Sequence, residues 1–312
     1  MVVSKKQGNE TIKLLRRHWQ LLLFILPAFI YVLIFNYGPM YGIFMAFEDF
    51  KAYLGVLNSE WVGLENFQRF FALSGFKSIM RNTISISLYS LIAGFPLPVI
   101  FALILNSCPA QRFKKIVQTV SYAPHFISMV VLCGMIHIFF SPSQGIVRRI
   151  LVAVGVIGSN DFLNTLTNPN AFPHLYVWSG VWQGIGFGSI IYLGALSSVD
   201  QALHEAAVVD GASKFQRVIY IDIPTILPTM VIMLILNCGS IMNVGFEKVF
   251  LLQNSMNIEK SQVLSTYTYQ VGIKEGQYSF STTVSLFNSV VNFMMLIIVN
   301  TISRKVSENS LW

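Results

Sequence analysis

The sequence is poor in charge: Asp, Glu, Lys and Arg make up 11% of its 312 residues, whereas a soluble domain carries about 25%. Hydrophobic residues make up 54%, and they form long blocks rather than the alternating patterns of core faces. This composition excludes an ordinary soluble domain and predicts an integral membrane protein. The net charge of +7 is scattered over loops, without the basic stripe or aromatic platform of a nucleic-acid-binding surface.

Cysteine is also scarce. Cys108, Cys133 and Cys238 fall in or beside hydrophobic segments and lack metal-ligand spacing, which predicts small buried apolar side chains. The sequence contains no zinc-protease, nucleophile-elbow or phosphate-binding-loop motif. It therefore predicts no catalytic residue, no metal site, no cofactor and no nucleotide site within this chain.

Six hydrophobic segments reach the roughly 20 residues that a helix needs to cross a bilayer, and they predict an all-α membrane fold. They cover residues 19–42, 80–105, 117–140, 173–197, 223–247 and 281–302. Basic residues precede the first segment, but no small-residue cleavage site follows it, so we expect a retained transmembrane helix rather than a signal peptide. These basic residues are Lys5, Lys6, Lys13, Arg16 and Arg17.

Lysine and arginine set the predicted orientation. They are dense at the amino terminus and in the short loops that would share its side of the membrane, and sparse in the longer loops opposite. The positive-inside rule then places both termini in the cytoplasm. The predicted division is a cytoplasmic segment 1–18, a first span 19–42, an extracellular loop 43–79, a core domain 80–302 with five spans, and a cytoplasmic tail 303–312.

The predicted outer loops, 48–78, 141–172 and 248–280, are long enough to have structure or function of their own. Two interpretations fit the first of them equally well. It either receives a partner on the outer face, or forms an interfacial aromatic belt with a short surface helix. The aromatic residues concerned are Trp61, Phe67, Phe70 and Phe71.

The most informative pattern is a polar stretch, residues 198–224, between the fourth and fifth spans. Two S-x-x-Q capping boxes begin at Ser198 and Ser213 and predict helix starts. Gly211 lies between them and suits the left-handed turn that ends a helix. Pro224 suits the first turn of the next span. The pattern predicts a helix, a glycine turn and a second helix at the cytoplasmic surface.

The side chains of this stretch are typical of a docking surface. Ala206 and Ala207 have small side chains, so a partner's groove can close tightly over the first helix. Glu205 adds one charge to this surface. In the second helix, Phe215 and Ile219 are four residues apart and provide an apolar side for anchoring to the spans.

The spacing of Glu205-Ala206-Ala207, Gly211 and Ile221-x-Ile223-Pro224 resembles the EAA loop of type I binding-protein-dependent ABC importer permeases, with Ile223 in place of the commoner leucine. With Asp210 included, the stretch is similar to the carbohydrate-uptake branch. Further stretches resemble the LplB-type permeases of complex-saccharide importers, and the likeness covers nearly the whole chain after residue 20. These stretches are 37–42, 81–83, 118–128, 276–280 and 311–312.

The resemblance implies the type I permease fold and the role of a non-catalytic membrane subunit in a carbohydrate importer. It implies that two copies of a cytoplasmic ATPase, which bind the ATP and Mg²⁺, dock on the EAA loop. A second homologous permease and an extracellular solute-binding lipoprotein would complete the complex in a prokaryotic plasma membrane. The residues that would couple to the ATPase are Glu205, Ala206, Ala207, Asp210 and Gly211.

Polar and aromatic side chains within the spans are candidates for the path of the sugar, because in a bilayer they cost free energy unless they are paired or hydrated. Asparagines also hold transmembrane helices together, which is the structural alternative for each of them. Gly180, Gly184 and Gly188 recur every four residues and predict close helix packing. The path candidates are Tyr122, Trp182, Asn237, Asn243, Glu247, Asn288 and Asn292.

The alternative function is an ion-coupled secondary carrier. Such carriers tend to show inverted repeats and intramembrane acidic residues. This sequence shows no repeat between its halves and few charges within its spans, which disfavours a carrier. A membrane enzyme is a second alternative, disfavoured by the missing motifs.

Overall fold

The computed structural model describes residues 17, 19–158, 161–307 and 310, and these form a helical protein with one small β-ribbon. The basic residues Lys5, Lys6, Lys13 and Arg16 and the closing pair Leu311-Trp312 lie outside the described residues. The predicted segment 1–18 and tail 303–312 are therefore described only in part.

Fifteen α-helices are described, joined by short 3₁₀ and π segments. The α-helices are α1 (Trp19–Val32), α2 (Glu65–Phe71), α3 (Phe76–Gly94), α4 (Pro96–Asn106), α5 (Gln111–Tyr122), α6 (Met129–Phe139), α7 (Ile146–Ala153), α8 (Phe172–Leu196), α9 (Gln201–Val209), α10 (Lys214–Arg217), α11 (Ile223–Cys238), α12 (Phe246–Leu252), α13 (Ile258–Ser261), α14 (Leu264–Tyr269) and α15 (Tyr278–Ser307). The 3₁₀ segments are Gly38–Phe47, Ala123–Phe126 and Pro169–Ala171, and the π segments are Leu33–Tyr37, Val218–Asp222 and Gln270–Lys274. The ribbon pairs β1 (Glu48–Asp49) antiparallel with β2 (Glu60–Trp61).

Four helical runs among the described residues are long and apolar enough to cross a membrane: Leu22–Phe47, Phe76–Asn106, Lys214–Cys238 and Tyr278–Lys305. A bent pair, α5 with α6, would make a fifth. The predicted fourth span corresponds to α8, which has 25 residues but is less apolar because glycine, histidine and glutamine interrupt it. The count of six spans remains a prediction.

The third span was predicted as one helix over 117–140, and this prediction is wrong. The chain bends by 98° between α5 with its 3₁₀ extension and α6. Pro124 lies in that extension, and Ile127 and Ser128 are extended. Gln183 of α8 donates from Nε2 to the Ile127 carbonyl at 2.8 Å, and so satisfies a backbone group that the break has freed.

The fifth span differs from its prediction at its end, and at its start it continues the preceding helical segments. It ends at Cys238 rather than near residue 247, and a turn then leads to the separate helix α12. At its start, α10, the π segment Val218–Asp222 and α11 form one continuous run from Lys214 to Cys238. Within this run α11 begins at Ile223, and Pro224 lies in its first turn as predicted.

The predicted extracellular loop packs against the last helix. It contains the short helix α2, whose Phe70 is fully buried and contacts the rings of Phe76, Phe280 and Phe287. Trp61 is 60% exposed and stacks on Phe47. The short helix is thus present, and Phe70 belongs to the core rather than to an aromatic belt.

Hydrogen bonds connect α3, which follows this segment, to residues far along the chain. The buried Asn82 side chain donates to the carbonyls of Glu259 and Gln262 at 2.8 and 3.0 Å. The backbone N–H of Leu264 donates to the hydroxyl of Thr83 at 2.9 Å. Residues 81–83, which carried part of the family resemblance, therefore hold the segment after α12 against α3.

The predicted close helix packing of the α8 glycines holds at Gly188, which lies against Pro98 of α4, but not at Gly184. A Cβ at Gly184 would meet nothing within 4 Å, whereas one at Gly188 would lie 3.3 Å from Pro98 and one at Gly180 would lie 3.2 Å from the Lys248 ammonium. The tightest packing is at Gly186, where a Cβ would overlap the carbonyl group of Ser121. Close packing of α8 on α5 thus depends on Gly186, outside the predicted repeat.

Candidate functional site

The loop between α8 and α11 contains two short helices separated by a tight turn. The first, α9, begins after Asp200, whose Oδ1 accepts a hydrogen bond from Ala202 N at 2.9 Å. The predicted capping box at Ser198 is wrong, because the Ser198 hydroxyl donates backwards to the Ala195 carbonyl. The capping box at Ser213 is confirmed: its Oγ accepts from Gln216 N, and its N–H donates to Gln216 Oε1 at 2.8 Å.

The turn between the two helices is a Schellman motif. Gly211 has φ +78°, which confirms the predicted left-handed conformation. Its N–H donates to the Val208 carbonyl at 3.0 Å, and Ala212 N–H donates to the Ala207 carbonyl at 2.8 Å. These two bonds satisfy carbonyls at the end of α9 and fix the direction in which the chain enters α10.

The surface of this loop is apolar and uncovered. Leu203, Val208 and Val209 are 55%, 54% and 87% exposed, and Phe215 of α10 is 72% exposed. Phe215 was expected to anchor its helix to the spans, and it does not do so within this chain. Exposed apolar side chains grouped on one short segment are typical of a surface that binds another protein.

The predicted coupling residues lie on this exposed loop. Glu205, Ala206, Asp210 and Gly211 are exposed, and Ala207 is partly buried. The structure brings them together on the end of α9 and in the turn that follows. Their role in coupling remains a prediction.

A contact between a half-buried histidine and a buried aspartate connects α9 to the fifth span, and sequence reasoning missed it. His204 Nε2 lies 3.3 Å from Asp222 Oδ1, which is within ion-pair distance, and Asp222 is only 2% exposed. Both residues line a cavity of about 520 Å³ that Lys214 and Arg217 share. His204 is, with Ala207, one of the two residues of α9 that are not exposed, so the pair is a main attachment of this helix to the membrane domain.

We expect His204→Leu to destabilise the protein by about 2–3 kcal/mol, because it leaves the buried Asp222 carboxylate without its partner. This is below the 3–5 kcal/mol of a fully buried pair, since His204 retains contact with water. Thermal unfolding in detergent measures the change. His204→Leu combined with Asp222→Leu removes both charges and should recover at least half of the lost midpoint. A double variant no more stable than His204→Leu would contradict this account.

A second site is a cavity of about 510 Å³ between α3, α8 and the end of α11. Asn237 and Asn243, two of the predicted path candidates, line it, as does Gln183. Gly180, Gly184 and Gly188 form part of its wall, so the glycine stripe gives it room. A cavity of this size with amide side chains in an otherwise apolar wall suits a small polar ligand.

Three path candidates form a single hydrogen-bonded group. The Oδ1 of Asn243 accepts from Asn288 Nδ2 at 2.8 Å and from Asn292 Nδ2 at 3.0 Å. Asn292 Oδ1 in turn accepts from the backbone N–H of Met242 at 2.9 Å. This network holds the turn after α11 against α15, which is the structural alternative for these residues, and it fixes Asn243 at the cavity wall.

The remaining path candidates lie elsewhere. Trp182 lines a separate, apolar cavity of about 500 Å³ that also contains Trp178 and His174. Tyr122, at the end of α5, and Glu247, in the first turn of α12, do not line the 510 Å³ cavity. The structure therefore groups Asn237, Asn243, Asn288 and Asn292 and separates the other three from them.

The sequence prediction missed Lys248, which lines the same cavity. It is 5% exposed, its Nζ donates to the Tyr176 carbonyl at 2.7 Å and it lies 4.8 Å from the centre of the Tyr176 ring. Burial lowers the pKa of this ammonium to about 8, so it remains mostly protonated at neutral pH. The charged pair Glu247-Lys248 within the otherwise apolar stretch 244–252 was the signal available in the sequence.

Among the described residues, no three His, Cys, Asp or Glu side chains are grouped so that they could hold a metal ion. One site is an exposed apolar surface, and the other is a cavity with polar side chains in its wall.

Comparison with known proteins identifies the family of this chain and several related proteins. Residues 87–308 match the family of binding-protein-dependent transport system inner membrane components. Protein LplB of Bacillus subtilis (strain 168) is 36% identical over 311 residues, covering 100% of this chain and 96% of that protein. The polygalacturonan/rhamnogalacturonan transport system permease protein YteP of the same organism is 37% identical over 313 residues, with the same coverage.

Two solved structures are similar over almost the whole chain. One is the crystal structure of a bacterial ABC transporter involved in the import of the acidic polysaccharide alginate. Its matching chain has a TM-score of 0.87 and 36% identity, covering 96% of this chain and 99% of that chain. The other is the bacterial alginate ABC transporter in complex with an alginate pentasaccharide-bound periplasmic protein, with a TM-score of 0.87 and 37% identity over the same shares.

Proposed function

Because this chain belongs to the family of binding-protein-dependent transport system inner membrane components, we propose that it forms the membrane path of an ABC importer for an oligosaccharide. It is a multi-pass protein of a bacterial inner membrane and a member of the sugar-permease group that contains LplB and YteP. The observation that carries the proposal is the 36% identity over nearly the full length of a chain from an alginate importer, together with the amide-lined cavity.

The exposed loop is the proposed docking site for a cytoplasmic ATPase. Leu203, Val208 and Val209 are exposed on the same short helix as Glu205. The Asp200 cap and the Gly211 turn define the two ends of this helix for a partner's groove. The chain itself would carry no ATP chemistry, and ATP and Mg²⁺ would be bound by two copies of the ATPase. This assignment places the loop and both termini in the cytoplasm, with six spans in total.

Two further partners complete the proposed importer. A second, homologous permease would face the cavity, and an extracellular solute-binding lipoprotein would deliver the sugar to the outer surface formed around α2. The latter draws support from the similar alginate transporter, whose structure includes a periplasmic protein bound to an alginate pentasaccharide. The division into a first span 19–42, an outer segment 43–79 and a permease domain 80–302 belongs to this proposal.

The test is purification of the chain from its native membrane in mild detergent, with co-purifying proteins identified by mass. We expect a second permease and an ATPase. Val209→Asp places a charge on the most exposed of the apolar side chains of this loop, which is 87% exposed. It should reduce ATPase recovery about tenfold or more, because a charge must then be desolvated in the interface.

The matched control is Val156→Asp, at a valine that is 64% exposed and lies outside residues 198–224. It should leave ATPase recovery unchanged, and both variants should retain the second permease. Recovery of the native chain alone, with uptake driven by an ion gradient, would favour a secondary carrier and overturn the proposal.

A further inference from the structure

Lys248 is the one charged residue among those that line the 510 Å³ cavity. Its ammonium has three donors, and the hydrogen bond to the Tyr176 carbonyl uses one of them. In the described part of the chain, no carboxylate lies within 4 Å of its nitrogen. Burying a cation without an anionic partner costs free energy, so packing alone does not explain why a lysine occupies this position.

The surroundings of Lys248 leave room beside the ammonium. Gly180 faces it, and a Cβ at that position would lie 3.2 Å from Nζ. Gly184, one turn further along α8, would have nothing within 4 Å of an added Cβ and opens the same wall. The Tyr176 ring stabilises the cation from one side at 4.8 Å, and the Tyr176 hydroxyl fixes the start of α12 through Gly245 N at 2.9 Å.

Neutral hydrogen-bonding groups surround this charge. Gln183, Asn237 and Asn243 are amides on the same wall, and Ser90 presents a buried hydroxyl oxygen that has no hydrogen-bond partner. Amides and hydroxyls suit the hydroxyl groups of a sugar, whereas an ammonium suits a carboxylate. The cavity thus combines both kinds of recognition within one wall.

We propose that Lys248 binds a carboxylate of the saccharide as it passes through the cavity, so that this chain favours acidic over neutral oligosaccharides. The inference rests on the proposed function and deepens it, since it assigns the charge selectivity of the path to one residue. Lys248 acts here as a specificity-determining residue: its ammonium supplies a charge-assisted hydrogen bond to the carboxylate, and the amides bind the neutral part of the ligand.

The experiment compares two ligands that differ only at their carboxyl groups. One is a galacturonate trimer, and the other is the same trimer with its carboxyl groups reduced to neutral alcohols. Calorimetric titration is performed on the purified complex of both permeases and the ATPases, without the solute-binding protein, so that selection by that protein does not enter. We expect the native complex to bind the acidic trimer more tightly than the neutral one.

Lys248→Met keeps most of the length of the side chain and removes the charge. It should weaken binding of the acidic trimer by about 10- to 100-fold, the value of one hydrogen bond to a charged group. Binding of the neutral trimer should be unchanged, which also shows that the variant folds. Lys248→Arg, which retains the charge, should keep the preference for the acidic trimer.

Other outcomes separate the inference from the function on which it rests. Equal binding of both trimers by native and Lys248→Met complexes would overturn the inference and leave sugar import standing. Loss of the second permease from the Lys248→Met complex, with both trimers bound equally by the native one, would also overturn it, because Lys248 would then pair with a carboxylate of that subunit. A native complex that binds neither trimer would contradict the carbohydrate path itself.

Discussion

Gly211→Val should abolish the stimulation of ATP hydrolysis by substrate while leaving membrane insertion intact. Gly211 has φ +78°, a conformation that β-branched side chains strongly disfavour. Relieving the strain requires the turn to change, which breaks the two Schellman hydrogen bonds from Gly211 N and Ala212 N. The angle between α9 and α10 would then no longer be fixed, and the proposed docking surface would lose its shape. ATPase activity of reconstituted complexes, with and without substrate-loaded binding protein, measures the effect.

Gly155→Val is a close control for this prediction. Gly155 has φ +76°, and like Gly211 it has open space where a Cβ would be. Both substitutions therefore introduce similar backbone strain, about 1–2 kcal/mol, but only one of them lies in the coupling loop. Gly155→Val should retain coupling, and Gly211→Asn should retain most of it because asparagine tolerates the left-handed conformation. Equal loss of coupling in both valine variants would show that the turn has no special role.

Gly186→Ala should strongly destabilise the protein, whereas Gly184→Ala, two residues away on the same helix, should not. A Cβ at Gly186 would overlap both the oxygen and the carbon of the Ser121 carbonyl. Backbone atoms cannot rotate away as a side chain does, so α5 and α8 must separate. We expect a cost of at least the ~1–3 kcal/mol typical of overpacking, and a clear fall in the detergent unfolding midpoint.

At Gly184 an alanine should not lower the unfolding midpoint. Nothing lies within 4 Å of a Cβ there, and alanine favours a helix over glycine by about 1 kcal/mol in host peptides. Gly184→Ala should therefore leave the unfolding midpoint unchanged or raise it slightly. Similar midpoints for the two variants would contradict the packing of α5 against α8 described above.

The sequence allowed good prediction where the determining interaction is local. Capping at Ser213 and the turn at Gly211 depend on neighbours within a few residues, and both were predicted correctly. The capping box at Ser198 failed because Asp200, two residues on, caps the helix instead: its carboxylate accepts from Ala202 N, and the Ser198 hydroxyl donates to the Ala195 carbonyl. Local patterns identify that a helix starts, and small differences in side-chain geometry decide where.

Features that depend on distant contacts could not be predicted. The break at Ile127 is possible because Gln183, 56 residues later, satisfies its carbonyl. The pairing of His204 with Asp222 and the position of Lys248 beside Tyr176 likewise depend on how helices approach one another. The asparagine candidates were found because amides in apolar spans are conspicuous, but only the fold separates those in the cavity wall from those that support it.

The contacts between residues 46–50 and α15 have a consequence for how the protein is made. The Phe50 N–H donates to the Ser279 hydroxyl, and the Thr283 hydroxyl donates to the Ala46 carbonyl, across 229 and 237 residues of chain. At about 5–20 residues per second, a ribosome needs tens of seconds to deliver the second partner after the first. For that time Phe70 lacks its ring contacts with Phe280 and Phe287 of α15. The contacts of residues 46–50 are therefore completed only late in synthesis. Any chain truncated before residue 279 lacks the hydrogen bonds with Ser279 and Thr283.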